Sequence, residues 1–300
     1  MASKSKIDWT EASWNIVTGC TKVSPGCANC YAARNASTRL KHTAMYKDLA
    51  VDGEWTGEVR FNHDKLPDPT RWGKPRKIFV ASTGDLFHPK VKDSWLDLIF
   101  LNIAATKKHI FQVLTKRPER MLEYMTSFET KRIVSQAERP WPLPNLWLGI
   151  TAENQKTYDE RIKFLKKTPA AIRFISMEPL LSGIKLYREN PSCKEFRETA
   201  GIDAHKHIPM TDRPLDSLVF SKDIHWVIVG GESGHKARSM DIQWARDIKD
   251  QCKEASIPFF FKQLSQADNS QFKDFDNFPE DLKIREYPEH VLEASAEPSK

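Results

Sequence analysis

The sequence has few cysteines and no long apolar run. Only five of its 300 residues are cysteines, an odd number that fits a disulfide framework poorly. No stretch approaches the roughly 20 apolar residues that a membrane-spanning helix requires. The opening MASKSKIDWTEAS has no apolar segment of the kind that a secretory signal contains. We therefore expect a cytoplasmic protein without a membrane partner, in which clustered cysteines indicate metal binding or catalysis.

The charge of the chain is only mildly basic. The formal net charge is +6 and the isoelectric point is near 8.9, which permits a nucleic-acid partner without demonstrating one. The basic stretches GKPRK at 73–77 and TKRPER at 115–120 are each more typical of a solvated loop than of a phosphate site. With 40% hydrophobic residues, the chain is long enough for a substantial core.

Strand-like and helix-like segments alternate along the chain. Apolar, β-branched or aromatic runs predict strands, and segments with apolar residues at three- and four-residue spacing predict helices between them. The predicted strands are WNIVTG (14–19), KIFVAST (77–83), HIFQVLT (109–115), LWLGITA (146–152), IRFISME (172–178), HWVIVGGE (225–232) and IPFFFKQ (257–263). The predicted helices cover 93–106, 117–128, 155–168 and 240–256.

This alternation predicts an α/β fold with a parallel sheet, because parallel strands need crossover connections. Six or seven such units fit a full or partial (β/α) barrel, and a doubly wound open sheet is the alternative. We expect one domain over 1–280, polar insertions at about 40–75 and 187–223, and a charged tail over 281–300.

Polar residues follow nearly every predicted strand. In parallel α/β folds, ligands gather at the carboxyl ends of the strands, so these residues form a candidate site. Glu153, Glu178 and Glu232 stand at equivalent strand ends. Several of these residues also have a purely structural interpretation. Asp85 can cap a helix that begins after Gly84, and Glu178 can form a turn before Pro179. Lys116 and Arg117 can neutralise the acids at the strand ends.

Three of the five cysteines fall within eleven residues. Cys20, Cys27 and Cys30 have the spacing C-x6-C-x2-C. Zinc normally requires a fourth protein ligand in a closed site, for which His42 is the nearest candidate. A four-iron cluster with three cysteines leaves one iron open to a substrate or cofactor, and we favour it over zinc or inert thiols. The remaining cysteines, at 193 and 252, are interpreted as incidental.

The cysteine loop resembles that of the radical S-adenosylmethionine (AdoMet) superfamily, whose partial barrels carry three cysteines after the first strand. The usual spacing there is C-x3-C-x2-C, whereas the first gap here has six residues. The stretches VTGCTKVSPGCANCYA, STGDLFH, LTKRPER, GITAEN and VIVGGESG together resemble the phage Gp37/Gp68-like family, which is related to spore photoproduct lyase. The match covers about residues 7–264, most of the chain.

The resemblance implies a partial (β/α)6 TIM-like barrel of the radical SAM type, with a 4Fe–4S cluster held by the three cysteines. The open iron would chelate the amino and carboxylate groups of AdoMet. In the superfamily, a Gly-Gly-Glu-like stretch at the end of the second strand accepts hydrogen bonds from the amino group of AdoMet, and Asp85 would take the place of its acid. The Gly-Gly-Glu that ends at Glu232 follows the sixth strand instead. The residues implied to bind the cofactor are Tyr31, Ser82, Thr83, Gly84, Asp85, Thr151, Glu153, Ser176, Glu178, Gly230, Gly231 and Glu232.

The implied function is that of a radical enzyme acting on a nucleobase. Cleavage of AdoMet would give a 5′-deoxyadenosyl radical, and the leading hypothesis is an isomerase-type rearrangement of a modified thymidine 5-substituent in phage DNA. The implied partners are DNA or a nucleotide and an electron donor such as flavodoxin or ferredoxin, in the host cytoplasm. The alternatives are a pyrimidine photoproduct repair lyase and a zinc-stabilised nucleic-acid-binding protein.

Overall fold

The computed structural model describes residues 5, 7–186, 223–234, 236–265, 271–272 and 274–289. The predicted insertion at 187–223 therefore lies, except for its last residue, outside the described residues. Twelve strands are described: β1 Ala12–Trp14, β2 Val17–Thr18, β3 Ala50–Val51, β4 Glu54–Trp55, β5 Arg60–Phe61, β6 Lys77–Val80, β7 Ile110–Thr115, β8 Leu146–Thr151, β9 Ile172–Met177, β10 Trp226–Gly230, β11 Phe259–Ser265 and β12 Gln271–Phe272.

Seven α-helices accompany these strands in the described part of the chain. They are α1 Tyr31–Ser37, α2 Asp68–Arg71, α3 Asp93–Ala105, α4 Pro118–Thr126, α5 Phe128–Ser135, α6 Gln155–Leu165 and α7 Ile242–Glu254. None of the described helices combines the length and apolar character that a membrane crossing requires.

The main sheet follows the order β1-β6-β7-β8-β9-β10-β11-β12. Every pairing from β1 to β11 is parallel, and β12 joins β11 antiparallel. The seven parallel strands curl into a half-barrel with helices on its outside. This confirms the predicted partial barrel over the doubly wound sheet, with one strand more than the six of the superfamily pattern.

The two faces of the sheet pack against different partners because side chains alternate along each strand. Residues such as Ile78 and Val113 pack with the helices in the larger core cluster. The intervening residues face the inside of the half-barrel and form a second cluster, which we call the aromatic layer. It contains Trp9, Phe79, Trp147, Phe174, Trp226 and Phe260, with Ile172 and Ile228.

The aromatic layer fills the half-barrel toward the amino ends of the strands. Its rings meet in tilted and edge-to-face contacts, such as Trp147 against Trp226 with centroids 5.8 Å apart, a geometry that aromatic quadrupoles favour. Gly149 belongs to this layer, since a Cβ atom there would stand 2.5 Å from the Phe174 ring. Beyond this layer, toward the carboxyl ends of the strands, the inward-facing residues include the polar Thr151, Ser176 and Lys262 beside the apolar Leu114.

The boundaries of the first strand differ from the prediction. The first parallel strand is Ala12–Trp14 and not 14–19. Asn15 lies outside the sheet, and its side chain accepts hydrogen bonds from Ser82 and Thr83. Val17–Thr18 then pairs with Arg60–Phe61 of the first insertion, a long-range pairing that the local sequence does not reveal.

The predicted helices are recovered with one division. The helix expected over 117–128 ends at Thr126, and a second helix begins at Phe128. Ser127 separates them, because its hydroxyl accepts the backbone N–H of Thr130 as an N-cap. Pro118 occupies the first turn of α4 as expected.

Candidate active site

A cavity of about 1190 Å³ opens at the carboxyl ends of the parallel strands. Its wall includes all three clustered cysteines together with polar residues that follow the strands. Of the predicted cofactor-binding residues, those lining it are Tyr31, Ser82, Thr83, Gly84, Asp85, Thr151, Ser176, Glu178, Gly231 and Glu232. Glu153 and Gly230 are not in its lining.

The cysteine loop, residues 19–30, crosses the open end of the half-barrel. It begins at Gly19, which adopts a φ of +92° and would place a Cβ atom 2.1 Å from the carbonyl oxygen of Glu58. Only glycine fits this approach. Cys20, Cys27 and Cys30 are free thiols and partly exposed. The loop leads into α1, so the last cysteine sits at that helix's N-cap.

Arg117, which follows β7, fixes the start of the cysteine loop. Its guanidinium donates to the carbonyl and hydroxyl oxygens of Thr21 at 3.0 and 2.8 Å, and lies 3.5 Å from the sulfur of Cys20. Burial raises the pKa of the Cys20 thiol to about 11, with Asp85 adding to the rise and Arg117 opposing it. The arginine is thus the nearest positive group to that sulfur among the contacts described.

Asp85 is the counter-ion of Arg117. Its carboxylate lies 2.8 Å from the guanidinium and also accepts the hydroxyl of Thr115 at 2.7 Å. It accepts the backbone N–H of Phe87 at 3.0 Å in a local turn, and no helix begins there. The acid that the resemblance assigns to the cofactor amino group is therefore already engaged by the protein, as the neutralising role considered for Arg117 predicts.

Glu153, which follows β8, holds the middle of the cysteine loop. Its carboxylate accepts the backbone N–H of Gly26 at 3.2 Å and forms an ion pair of 2.9 Å with Arg161. The side chain is fully buried. Burial alone would raise its pKa, but Arg161 and the hydrogen bonds hold the pKa of Glu153 below its usual value. The carboxylate therefore stays charged and supports the loop from behind.

Glu232, which follows β10, holds the end of the same loop. It accepts the side-chain amide of Asn29 at 2.8 Å and the backbone N–H of Arg238 at 2.8 Å. The guanidinium of Arg238 pairs with the same carboxylate and donates to the carbonyl oxygen of Pro25 at 3.0 Å. Burial would raise the pKa of Glu232, but these donors keep it below its usual value. Residues that follow β7, β8 and β10, namely Arg117, Glu153 and Glu232, thus hold the cysteine loop.

The residues after β6 form the wall next to α1. The phenol of Tyr31 donates to the carbonyl oxygen of Ser82 at 2.7 Å. The hydroxyl of Thr83 shares a hydrogen bond of 2.9 Å with the phenol of Tyr46, and Gly84 bridges to Gly19 in the parallel direction. These contacts join the residues that follow β6 to the cysteine loop and to α1.

The part of the cavity wall at the ends of β8 and β9 contains Thr151, Ser176 and Glu178. The hydroxyl of Ser176 donates to Glu178 at 3.2 Å, and Glu178 pairs with Lys262 at 2.7 Å. Lys262 is a residue that the site prediction missed. A lysine inside the apolar run IPFFFKQ is the signal that would have identified it, because a charge on a buried strand requires a specific partner.

Three thiols in one loop are a ligand set that a four-iron cluster can use, with one iron left open. In the part of the chain that the structure describes, no three histidine, cysteine, aspartate or glutamate side chains gather as ligands of one metal ion. His42, considered as a fourth zinc ligand, is exposed and outside the cavity lining. A four-iron cluster binds each cysteine to a separate iron, and hydrogen bonds to sulfur of the kind that Arg117 makes tune such clusters.

Residues 4–288 match the model of the family described as protein of unknown function DUF5131. No curated protein matches the chain. Among solved structures, a cysteine-to-alanine mutant of spore photoproduct lyase with a dinucleoside spore photoproduct has 11% sequence identity and a TM-score of 0.42, covering 84% of this chain and 63% of its own.

A second structure of spore photoproduct lyase, with bound AdoMet and dinucleoside spore photoproduct, has 13% identity and a TM-score of 0.37, covering 85% of this chain and 75% of its own. The chain thus spans 63% of the length of the first of these proteins. The phage Gp37/Gp68-like assignment stays a prediction.

Proposed function

The chain belongs to the DUF5131 family, and we propose that it is a radical AdoMet enzyme that modifies a nucleic-acid base. One observation carries this proposal: three free cysteines and the polar ends of several parallel strands line a single cavity. A scaffold protein has no need of this convergence, and parallel α/β folds bind their ligands at this edge.

Cys20, Cys27 and Cys30 are the proposed ligands of a 4Fe–4S cluster. When bound, such a cluster would supply the electron for reductive cleavage of AdoMet, and the radical chemistry would belong to the cofactor. The chain's own contribution is to fix the loop. Glu153 and Glu232 accept hydrogen bonds from it, so its thiols are presented in a preset arrangement.

This arrangement distinguishes two groups among the predicted cofactor-binding residues. Asp85, Glu153 and Glu232 are satisfied by protein donors, and we propose that they position the cysteine loop and its neighbours. The residues proposed to contact AdoMet directly are those whose polar or backbone groups line the cavity without a charged protein partner: Tyr31, Ser82, Thr83, Gly84, Thr151, Ser176 and Gly231.

The proposed substrate is a modified thymine in phage DNA, whose 5-substituent is rearranged by an isomerase-type reaction. The mildly basic charge and the apolar part of the cavity wall, which includes Trp9, Phe79 and Leu114, support a base flanked by phosphate. The C–H bonds of such a substituent are too inert for acid–base chemistry, which is a reason to use a radical.

A photoproduct repair lyase is the alternative within the same chemistry. Such lyases use a downstream cysteine to return a hydrogen atom to the product. Cys252 is buried in α7, where it packs in the larger core cluster between helices and sheet, and it is not in the cavity lining. Cys193 lies outside the described residues. The position of Cys252 is a reason to favour the isomerase over the lyase.

The test is to purify the protein without oxygen, reconstitute it, and measure iron, sulfide and zinc. Dithionite and AdoMet are then added and 5′-deoxyadenosine is quantified. We expect about four irons per chain and formation of 5′-deoxyadenosine, both lost in Cys27→Ala. A zinc-loaded protein that forms none after reconstitution would refute the proposal in favour of the zinc-stabilised binding protein. Product analysis with modified and photodamaged thymine oligonucleotides separates isomerase from lyase.

A further inference from the structure

An ion pair stands inside the half-barrel above the aromatic layer. The ammonium of Lys262 lies 2.7 Å from a carboxylate oxygen of Glu178, and the two side chains are 18% and 12% exposed. The other carboxylate oxygen accepts the hydroxyl of Ser176 at 3.2 Å. All three residues line the cavity that the cysteines line.

The backbone of β10 is shaped to let this pair form. Glu178 follows β9 and Lys262 lies on β11, so β10 runs between them. At that level β10 carries Gly230, where a Cβ atom would stand 2.9 Å from the carboxylate of Glu178. The missing side chain leaves the space through which the two long side chains meet.

The scaffold gains little from a pair in this position. Removing two charges from water is costly, and an apolar pair of similar volume is often equally stable or more so. The carboxylate oxygen that lies 2.7 Å from the Lys262 ammonium is shielded from solvent. The other oxygen accepts the hydroxyl of Ser176 and keeps a lone pair for a second donor. The pair therefore places an ammonium donor beside a carboxylate acceptor with unused capacity.

The surroundings favour a flat ligand with a polar edge. Trp9, Phe79 and Leu114 line the same cavity, and their apolar surfaces suit the faces of a planar ring. Enzymes that act on a base commonly read its Watson–Crick edge by hydrogen bonds while apolar side chains cover its faces. Neither Lys262 nor Glu178 is needed to hold the cysteine loop, which other residues clamp.

We propose that Lys262 and Glu178 recognise the imide edge of a thymine or uracil ring, an inference that rests on the proposed function. Lys262 donates to a ring carbonyl, and Glu178 accepts the neighbouring N3–H. Thymine has a carbonyl on both sides of N3–H and offers this donor–acceptor pair in two orientations. Cytosine offers its amine and bare N3 in one orientation only, so the pair favours thymine over cytosine.

The test compares two fluorescent single-stranded oligonucleotides, one of ten thymidines and one of ten N3-methylthymidines. They carry the same phosphates, so their affinity ratio cancels backbone electrostatics. Binding is measured by anisotropy on reconstituted protein with AdoMet and no reductant. We expect the wild type to prefer the unmethylated strand at least tenfold and the ten-deoxycytidine strand to bind more weakly than the thymidine strand.

Two variants assign the preference to the ion pair. In the double variant Lys262→Met with Glu178→Met, both charges are removed, the thermal midpoint stays close to that of the wild type, and the affinity ratio falls to about one. Lys116→Met removes another lysine that lines the cavity. We expect it to weaken both oligonucleotides alike and to leave the ratio unchanged.

Equal binding of the two thymidine strands by the wild type would overturn the inference, as would a tenfold preference retained in the double variant. The first of these results needs no variant, so a failure of the double variant to fold does not protect the inference. Formation of 5′-deoxyadenosine is measured on the same preparations. An enzyme that forms it but shows no preference refutes the recognition alone, and one with the preference but no 5′-deoxyadenosine refutes the radical chemistry alone.

Discussion

Replacing Glu153 with alanine would remove one partner of an ion pair that is buried on both sides. The Glu153 and Arg161 side chains are 0% and 7% exposed and lie 2.9 Å apart. Arg161 also donates to the carbonyl oxygen of Thr151 at 2.8 Å, so it cannot swing to solvent without breaking a second contact. The variant would leave a buried guanidinium without its counter-ion.

The expected cost follows from this burial. Breaking a buried pair by removing one partner costs about 3–5 kcal/mol, and the lost acceptor of the Gly26 N–H adds about 0.5–1.5 kcal/mol. With a urea m-value of roughly 3 kcal/mol/M for a chain of this size, the unfolding midpoint falls by roughly 1–2 M. We expect iron retention after reconstitution to fall as well, because Gly26 is adjacent to Cys27.

Two control variants separate stability from loop positioning. Replacing both Glu153 and Arg161 with methionine removes both charges, and we expect a urea midpoint near that of the wild type but the same loss of iron. Glu153→Gln keeps an oxygen that can accept the Gly26 N–H, and we expect it to retain more iron than the alanine variant. The reasoning is refuted if Glu153→Ala unfolds at the wild-type urea concentration, or if the double variant is as unstable as the single one.

Three further outcomes follow from burial and close approach. Cys252→Ala should form 5′-deoxyadenosine within about twofold of the wild-type rate, since this thiol is buried outside the cavity lining. A complete loss in a folded variant would contradict the placement of Cys252 away from the cavity. Gly231→Ala should destabilise by about 1–3 kcal/mol in urea unfolding, because its Cβ would stand 2.3 Å from the hydroxyl of Ser265. Gly73→Ala, with nothing within 4 Å, is its control, and equal midpoints for the two would count against the packing argument. Burial lowers the pKa of His225, so the unfolded chain binds its proton more readily and stability falls as pH drops below about 6.5. His225→Gln should flatten this dependence in urea midpoints, and an unchanged slope would show that other groups cause it.

Several features of the fold could be predicted from the sequence because they depend on local patterns. Apolar strands alternating with amphipathic helices require crossovers, and this determines a parallel sheet with ligands at one edge. Pro118 at a helix start and the cysteine spacing are likewise readable from neighbours in the chain. The first strand was misplaced because Val17 pairs with Phe61, a partner 44 residues away.

The division of labour among the strand-end acids was decided only by the tertiary structure. Glu153, Glu178 and Glu232 are equivalent in the sequence, since each follows an apolar strand. In the fold, the first and last hold the cysteine loop, while Glu178 faces Lys262 inside the cavity.

The physical reason is that a carboxylate takes its role from the donors that surround it, and some of those donors come from distant segments. Asn29 donates to Glu232 across 203 residues of sequence, and Gly26 donates to Glu153 across 127. The sequence by itself determined which residue types collect at the edge of the sheet and that three cysteines share one loop. Which acids are neutralised by protein and which face a ligand depends on long-range packing, which no local pattern encodes.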